Sequence, residues 1–372
     1  MKKMFFIWIA LLLIAAMLAG CAQVTAKLDE VFPENTEETS VTQDPDVLPL
    51  PERERRTYTV LLALRAQTPE QISTLSLLTF DTDTKSVHWM LLPTNLFVHV
   101  EKNTMAGVFA ATYGEEIEKE GVSDLEATHT AMTEIEKLVE IGFQIPVDYY
   151  VSFDPEQFVD FVNKTLEGIP LTLRTPLAGL GAGEGNLNGK DACNFLTYKG
   201  YSDSSAEKTE VRRIFAAALW KRASQVINAD NLTLYVAQLR GRMTTNIPLN
   251  GGEDIFFWRR FLQVDPTAMT ITQISAQGIY YDGTSCQVIN RANTLRQLNE
   301  QMGIYQDPLV DEQFDPEALF ADYTNPLVRT VYLSSLPFPK VYTMAEMDPN
   351  YQPPETLPEE TASGDGERRQ EQ

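Results

Sequence analysis

An α/β layered fold is predicted by three features of the chain: strand-length apolar runs in its first third, amphipathic helices with legible caps through its middle, and a second mixture of strands and helix toward residue 300. Tyr58-Thr-Val-Leu-Leu-Ala-Leu64 and Thr74-Leu-Ser-Leu-Leu-Thr-Phe80 are continuous apolar runs too short for helices, which marks them as buried strands. Asp81-Thr-Asp-Thr-Lys85 is a turn, and Val87-His-Trp-Met-Leu-Leu92 is a third strand.

Ser123-Asp-Leu-Glu126 has the form of a capping box, in which hydroxyl and carboxylate exchange hydrogen bonds with the first free amides of a helix. The helix it opens carries Leu125, Met132, Ile135, Leu138 and Val139 on one face. Asp154-Pro155 sets an N-cap before a proline at the first helical position, where a missing N–H leaves nothing unsatisfied. Phe158, Phe161, Val162 and Leu166 follow, and Gly168 ends that helix. A third helix runs from Ala206 to Val226 with Ile214, Phe215, Ala218 and Leu219 inward. Residues 228–300 continue with a helix-like stretch, strands at Thr270–Ile274 and Ser285–Ile289, and a helix from Asn293 to Met302. There is no internal repeat.

The 372 residues carry a formal net charge of −22. This balance argues against nucleic acid as a partner and against polybasic binding to anionic lipid headgroups. It also repels a polyanion unless a local basic pocket compensates.

The termini differ in composition from the middle. Lys2 and Lys3 precede an uncharged apolar run, Met4 to Met17, which closes with Leu18-Ala19-Gly20-Cys21. That order predicts a secretory signal over residues 1–20 ending in a lipobox, with Cys21 as the lipidated residue. The run is short for a bilayer-spanning helix. The expected location is therefore extracytoplasmic, anchored to a bacterial cell membrane through the acyl chains on Cys21. Residues 21–56, rich in Glu, Asp, Thr and Pro, read as an acidic tether. The folded domain is expected over 57–305, a C-terminal extension over 306–340, and a disordered acidic tail over 341–372.

Several residues invite chemistry and favour a plainer role. His88, His99 and His129 lack metal-ligand spacing, so no metal site is expected. Cys193 and Cys286 are expected to be buried thiols, although sequence alone leaves a disulfide open. Leu180-Gly-Ala-Gly-Glu-Gly185 lacks the Lys-Ser/Thr of a phosphate loop and reads as a flexible loop. Glu115, Glu116, Glu118 and Glu120 read as a solvated face, and Ser73 and Ser76 have no spaced histidine to activate them. Trp258-Arg-Arg-Phe261 reads as one packed and one solvated face. Phe158, Phe161, Phe195 and Phe215 line either a lipid tunnel or an ordinary core.

Five segments, in order, resemble one family. Thr74 through Pro93 is similar to a strand pair closed by proline. Ala110-Ala-Thr-Tyr-Gly114 is similar to an Ala-Tyr-Ala-Tyr-Gly loop, and Ile145-Pro-Val-Asp-Tyr-Tyr-Val151 with Asp154 and Phe158 to an Ile-Pro-Ile-Asp-Tyr-Tyr-Val core segment. Leu187-Asn-Gly-Lys-Asp-Ala192 is similar to a Leu-Asn-Gly-Glu-Gln-Ala helix start, and Thr244-Thr-Asn-Ile247 to a Thr-Asn step. Together, over residues 57–303, they resemble the LytR-CpsA-Psr (LCP) family of cell-envelope proteins.

That resemblance implies an α/β/α sandwich with a mixed central sheet. It implies a polyprenyl-phosphate lipid in an apolar tunnel and, in active members, transfer of a glycopolymer from a polyprenyl-pyrophosphate carrier to peptidoglycan. Such phosphoryl transfer needs several fixed cations and usually Mg²⁺. The matching positions depart from that requirement. Leu64-Arg65-Ala66 and Ile72-Ser73-Thr74 stand where the resemblance implies metal carboxylates, and Pro93-Thr94-Asn95-Leu96 stands for a Pro-Arg-Asp-Thr loop. Ala106 falls near an implied lysine, while Leu196-Thr-Tyr-Lys199 and Lys208-Thr-Glu-Val-Arg212-Arg213 replace arginine-rich segments. The residues left to contact a ligand are Ser73, Thr94, Asn95, Lys199, Lys208, Arg212 and Arg213.

The functional expectation is a catalytically degenerate member. It would bind a polyprenyl-phosphate lipid, a wall glycopolymer or an active LCP protein, without a cofactor. The alternative is an active phosphotransferase with an altered site, built on Lys199 and Arg213 and still using Mg²⁺. Convergence of Lys199, Arg212 and Arg213 beside Thr94 and Ser73 is the geometry that favours a ligand site.

Overall fold

The computed structural model describes residues 48–314 and 337–347, apart from 55, 69, 99–102, 203–204, 229, 240–241, 249–258, 260 and 282. The chain divides after Leu48 into two units, and the described residues from Pro49 onward belong to the second. The signal, Cys21, most of the tether, His99, Trp258 and everything after residue 347 lie outside the described residues.

In chain order the strands and helices begin with β1 (Thr57–Arg65), β2 (Ile72–Asp81), β3 (Ser86–Leu92), β4 (Phe97–Val98), β5 (Asn103–Thr104), α1 (Met105–Ile117) and α2 (Asp124–Phe143). Next come β6 (Tyr149–Phe153), α3 (Pro155–Asp160, continued by a π turn over Phe161–Thr165), β7 (Ile169–Leu173), β8 (Gly183–Leu187), α4 (Gly189–Leu196), α5 (Ala206–Val226) and α6 (Leu232–Leu239). The last are β9 (Thr244–Thr245), β10 (Met269–Gln273), β11 (Ala276–Tyr281), β12 (Thr284–Ile289), α7 (Arg291–Gln297, continued by a π turn over Leu298–Met302), β13 (Tyr342–Thr343) and α8 (Met344–Met347).

Among the described residues the central sheet has seven strands in the order β13-β10-β3-β2-β1-β6-β9. It is mixed: β1 runs parallel to β6, and β10 parallel to β3, while the β1–β2 and β2–β3 pairs are antiparallel. Side chains alternate between its faces. Leu61, Ala63, Leu75, Leu77, Met90 and Leu92 pack with Phe109 of α1 and with Ile135 and Val139 of α2. Val60, Leu78, Val87 and Trp89 pack on the opposite face with Ala216 and Ala217 of α5. Helices cover both faces, which makes the fold an α/β/α sandwich. Double-sided burial also explains why the strands read as unbroken apolar runs.

The caps form as their sequences predict. The Ser123 hydroxyl accepts the Glu126 amide at 3.3 Å, while the Glu126 carboxylate accepts the Ser123 amide at 2.8 Å. Asp154 caps α3 by accepting the Gln157 amide at 2.7 Å. Cys193 and Cys286 are free thiols, each pushed up in pKa by burial.

Three expectations are corrected. The Gly-rich stretch expected as a loop includes strand β8, paired with β7 so that Leu171 lies opposite Gly185. The Ala110–Gly114 segment is helical within α1 rather than a loop, held at its start by the Thr104 hydroxyl accepting the Gly107 amide. In residues 342–347, expected in a disordered tail, Tyr342 and Thr343 pair with β10, and the helical turn that follows buries Met344 and Met347 against the α5 face of the sheet. Two methionines supply enough apolar surface to fix so short a segment.

Glu136 on α2 faces the β9 edge, where its carboxylate accepts the Asn246 side-chain amide at 3.3 Å. Burial, reinforced by Glu140, pushes its pKa up to about 7. A carboxyl whose pKa rises from about 4.3 on folding keeps its proton only in the native state, so stability falls as pH rises through that interval. Glu136→Gln is expected to raise the urea midpoint at pH 8 and to leave it unchanged at pH 4.

Candidate ligand site beneath α5

The Ser205 hydroxyl caps α5 by accepting the Lys208 amide at 3.1 Å. This phase turns Lys208, Val211, Arg212 and Phe215 toward the sheet, and all four are buried. Arg212 reaches the start of β2, where its Nη2 donates to the Ser73 carbonyl at 3.1 Å. Its side chain lines a cavity of about 60 Å³ with Thr74, Ser76, Phe153, Phe158 and Phe161. A guanidinium in such walls is costly without anionic or hydrogen-bonding company. Its planar fork of donors also suits phosphate oxygens.

The remaining sequence-predicted residues take other positions. Lys208 is buried, and its Nζ donates to the Tyr198 carbonyl at 2.8 Å, tying α5 to the end of α4. Thr94 is buried, and its carbonyl accepts the Ala106 amide at 2.9 Å. Asn95 binds β12 through Gln287, whose side-chain amide donates to Asn95 Oδ1 at 3.0 Å. Lys199 is exposed beyond α4. Arg213, one residue on from Arg212, lies on a different side of the helix, paired with Glu210 and stacked 3.6 Å from the Tyr342 ring centre. The structure therefore joins Arg212 with Ser73 and separates Lys199, Arg213, Thr94 and Asn95 from that cavity. A rotation of about 100° per helical residue accounts for the split of the two arginines.

Aromatic side chains expected to line a tunnel divide in the same way. Phe158, Phe161 and Phe215 line the Arg212 cavity, whereas Phe195 packs behind Phe215 at 6.3 Å between ring centres. A second, larger apolar cleft of about 310 Å³ opens on the same face of the sheet, lined by Val60, Leu78, Val151, Trp220 and Phe261. Leu62 lines both spaces. Sequence reasoning missed Trp220, which the helical spacing Ala216–Trp220 places on the sheet side of α5.

At the far end of β1, Arg65 occupies a position where the resemblance implies a metal carboxylate. It is buried against α2, where its two terminal nitrogens bind both Asp124 oxygens at 2.8 and 2.9 Å. The Thr128 hydroxyl accepts from the same guanidinium at 2.7 Å, and the Tyr113 hydroxyl donates to Asp124 at 2.6 Å. The Arg65 hydrogen bonds hold the Asp124 carboxyl below its usual range, against partial burial, with Tyr113 adding to the effect. These residues do not fit a divalent cation. The carboxylate is already engaged by a guanidinium, and Ile72-Ser73-Thr74 supplies no anion. Among the described residues, no three His, Cys, Asp or Glu side chains converge as metal ligands.

Comparison with known proteins places this architecture. Bacillus subtilis TagV superposes with a TM-score of 0.51 at 18% identity, covering 68% of this chain and 100% of that one. The gbs0355 protein of Streptococcus agalactiae gives 0.53 at 13% identity, covering 68% and 91%. TagT bound to LI-WTA gives 0.51 at 17% identity, covering 67% and 92%. At these identities the likeness is one of fold. No curated protein matches in sequence. The LytR_cpsA_psr family model matches residues 70–303, well over half of the chain, and the protein belongs to the LytR-CpsA-Psr family.

Proposed function

We propose that this protein is an extracytoplasmic lipoprotein, anchored through Cys21, that binds a polyprenyl-phosphate-linked glycan beneath α5 and serves glycopolymer attachment to the cell wall without catalysing the transfer. The observation that carries this reading is Arg212 at the polar end of an apolar cavity that shares Leu62 with a larger apolar cleft. A polyprenyl phosphate has the matching chemistry, an anionic head on an apolar chain. The cleft of about 310 Å³ falls within the size of small-ligand pockets. TagT, which shares the fold, is bound to LI-WTA in its structure, and this supports the ligand class.

The non-catalytic part rests on charge. Phosphoryl transfer spreads negative charge over several oxygens and relies on several preorganised cations. Of the four basic residues expected at the site, Arg212 alone lines the cavity. Losing a single transition-state donor already costs roughly 3–4 kcal/mol. In this reading the protein presents a carrier-linked glycan to an active relative.

Gentle detergent extraction of the full chain followed by native mass spectrometry tests the binding. A co-purifying polyprenyl phosphate is expected, with occupancy falling about tenfold or more in Arg212→Ala. Arg212→Lys keeps charge without the fork and is expected to fall between them. A clean apo mass for the wild type refutes binding. Multiple turnovers with a pyrophosphate-linked donor, an acceptor glycan and Mg²⁺ refute the non-catalytic part.

A further inference from the structure

We propose that the site beneath α5 selects a carrier joined to its sugar through one phosphate, a phosphodiester with a single negative charge, over a pyrophosphate-linked carrier with two, and needs no divalent cation to do so. This rests on the proposed lipid reading and fixes the chemical class of the headgroup.

The cavity wall carries the argument. Among its described lining residues Arg212 is the one charged side chain, and the polar groups beside it, Thr74, Ser76 and Trp89, are neutral. Trp89 comes from β3, on the face of the sheet that packs against α5. It is 5% exposed, and its indole Nε1 is buried with no hydrogen-bond partner among the described residues. An indole N–H can only donate, and buried donors without acceptors are rare in native proteins. A phosphoryl oxygen in the cavity supplies that acceptor, while Arg212 supplies the counter-charge. The cavity, about 60 Å³, has roughly twice the volume of one water in the liquid, which suits one phosphoryl group better than two.

A second phosphate needs a second positive charge, because an uncompensated charge among apolar walls is strongly unfavourable. The neighbouring bases are turned elsewhere. Lys208 donates to the Tyr198 carbonyl, Arg213 is held by Glu210 and Tyr342, and neither lines the cavity. Arg65 directly follows Leu64, a lining residue, but strand alternation sends its side chain through the other face of the sheet to Asp124 on α2. It stands there where the resemblance implies a metal carboxylate, and no three His, Cys, Asp or Glu side chains converge as ligands among the described residues. The chain's formal net charge of −22 opposes a second anionic group further.

A singly charged carrier also gives the protein a place in a reaction sequence. Such a carrier arises when a glycosyltransferase moves a sugar from a nucleoside diphosphate sugar to a polyprenyl phosphate. The bond from the anomeric carbon to the nucleotide's phosphate oxygen breaks, a bond from that carbon to a lipid phosphate oxygen forms, and the nucleoside diphosphate leaves. When the sugar is later passed to a hydroxyl, the bond that breaks is again at the anomeric carbon, and phosphorus keeps all its oxygens. That chemistry does not call for several cations around a phosphoryl centre, which agrees with the single guanidinium at this cavity.

Isothermal titration of the full chain in detergent tests this with two synthetic lipids of the same isoprenoid length, polyprenyl phosphoryl-glucose and polyprenyl pyrophosphoryl-glucose. Each is titrated in EDTA and again in excess Mg²⁺. The phosphodiester lipid is expected to bind about tenfold more tightly than the pyrophosphate lipid in both conditions. Trp89→Phe keeps an aromatic ring and removes the donor, and is expected to weaken the phosphodiester lipid about fivefold. Equal or tighter binding of the pyrophosphate lipid, a marked gain in its affinity with Mg²⁺, or unchanged affinity in Trp89→Phe overturns the inference and leaves the lipid reading standing. Binding of neither lipid to the wild type overturns both.

Discussion

Replacing Asp124 by alanine is expected to lower the unfolding free energy by about 3 kcal/mol, among the largest losses available to a single substitution in this chain. The reason is asymmetry of exposure. The Arg65 side chain is 3% exposed, whereas that of Asp124 is 51% exposed. Removing the carboxylate takes the counter-charge from a buried guanidinium, beside which the Thr128 hydroxyl and the face of the Tyr113 ring, 4.9 Å away, carry no negative charge. It also deprives the Tyr113 hydroxyl of its acceptor. The double variant Arg65→Met/Asp124→Ala is expected to recover most of the loss, because an apolar side chain of similar length needs no counter-charge. Urea unfolding of the wild type and both variants at pH 7 measures this, and a double variant no better than D124A would sink the explanation.

The same pair sets a pH dependence with a defined sign. The Asp124 carboxyl has a lower pKa in the native state than in the unfolded chain, chiefly through its hydrogen bonds with Arg65. Its contribution is complete above the unfolded carboxyl value of about 3.9 and is lost as pH falls through the lower native value. The stability gap between wild type and D124A is expected to be constant from pH 6 to 8 and to narrow in acid.

These two residues also mark where sequence reasoning ends. The capping box at Ser123 and the Asp154-Pro155 start were legible because each cap joins side chain and backbone within four residues. β1, β2 and β3 were legible because helices bury both of their faces. Arg65 and Asp124 are 59 residues apart, and no local pattern announces such a contact. β8 was illegible for the opposite reason. Four of its five residues are exposed and two are glycine, so neither alternation nor β-propensity marks Gly183–Leu187 as a strand. At the site, helical phase was the usable signal. Arg212 lies three residues before Phe215, which faces inward, and its burial follows from that spacing. Arg213 is out of phase, and its ring partner, Tyr342, lies in a segment whose composition resembles a tail.

Gly189→Ala is expected to cost about 2–3 kcal/mol, although alanine is the better helix former by about 1 kcal/mol. Gly189 opens α4 directly after its cap, Asn188, and donates its amide to Asn163 Oδ1 at 2.7 Å. A Cβ there would lie 2.3 Å from the Val159 carbonyl oxygen and 2.7 Å from the Val159 Cα. Both are backbone atoms of α3, so no rotamer change relieves the contact and the two helices must separate. α4 carries Ala192, Cys193, Phe195 and Leu196 into the core, and Leu196 lines the Arg212 cavity. Separation therefore reaches the ligand site as well as the packing, and lipid occupancy is expected to fall together with the melting temperature. Gly185→Ala is the matched control: its Cβ meets nothing within 4 Å, and shortening the list of unfolded conformations makes it neutral or slightly stabilising. Thermal unfolding of G189A and G185A side by side distinguishes close backbone approach from a general intolerance of substitution at glycine. Equal melting temperatures for the two would show that α4 and α3 are not in contact at Gly189.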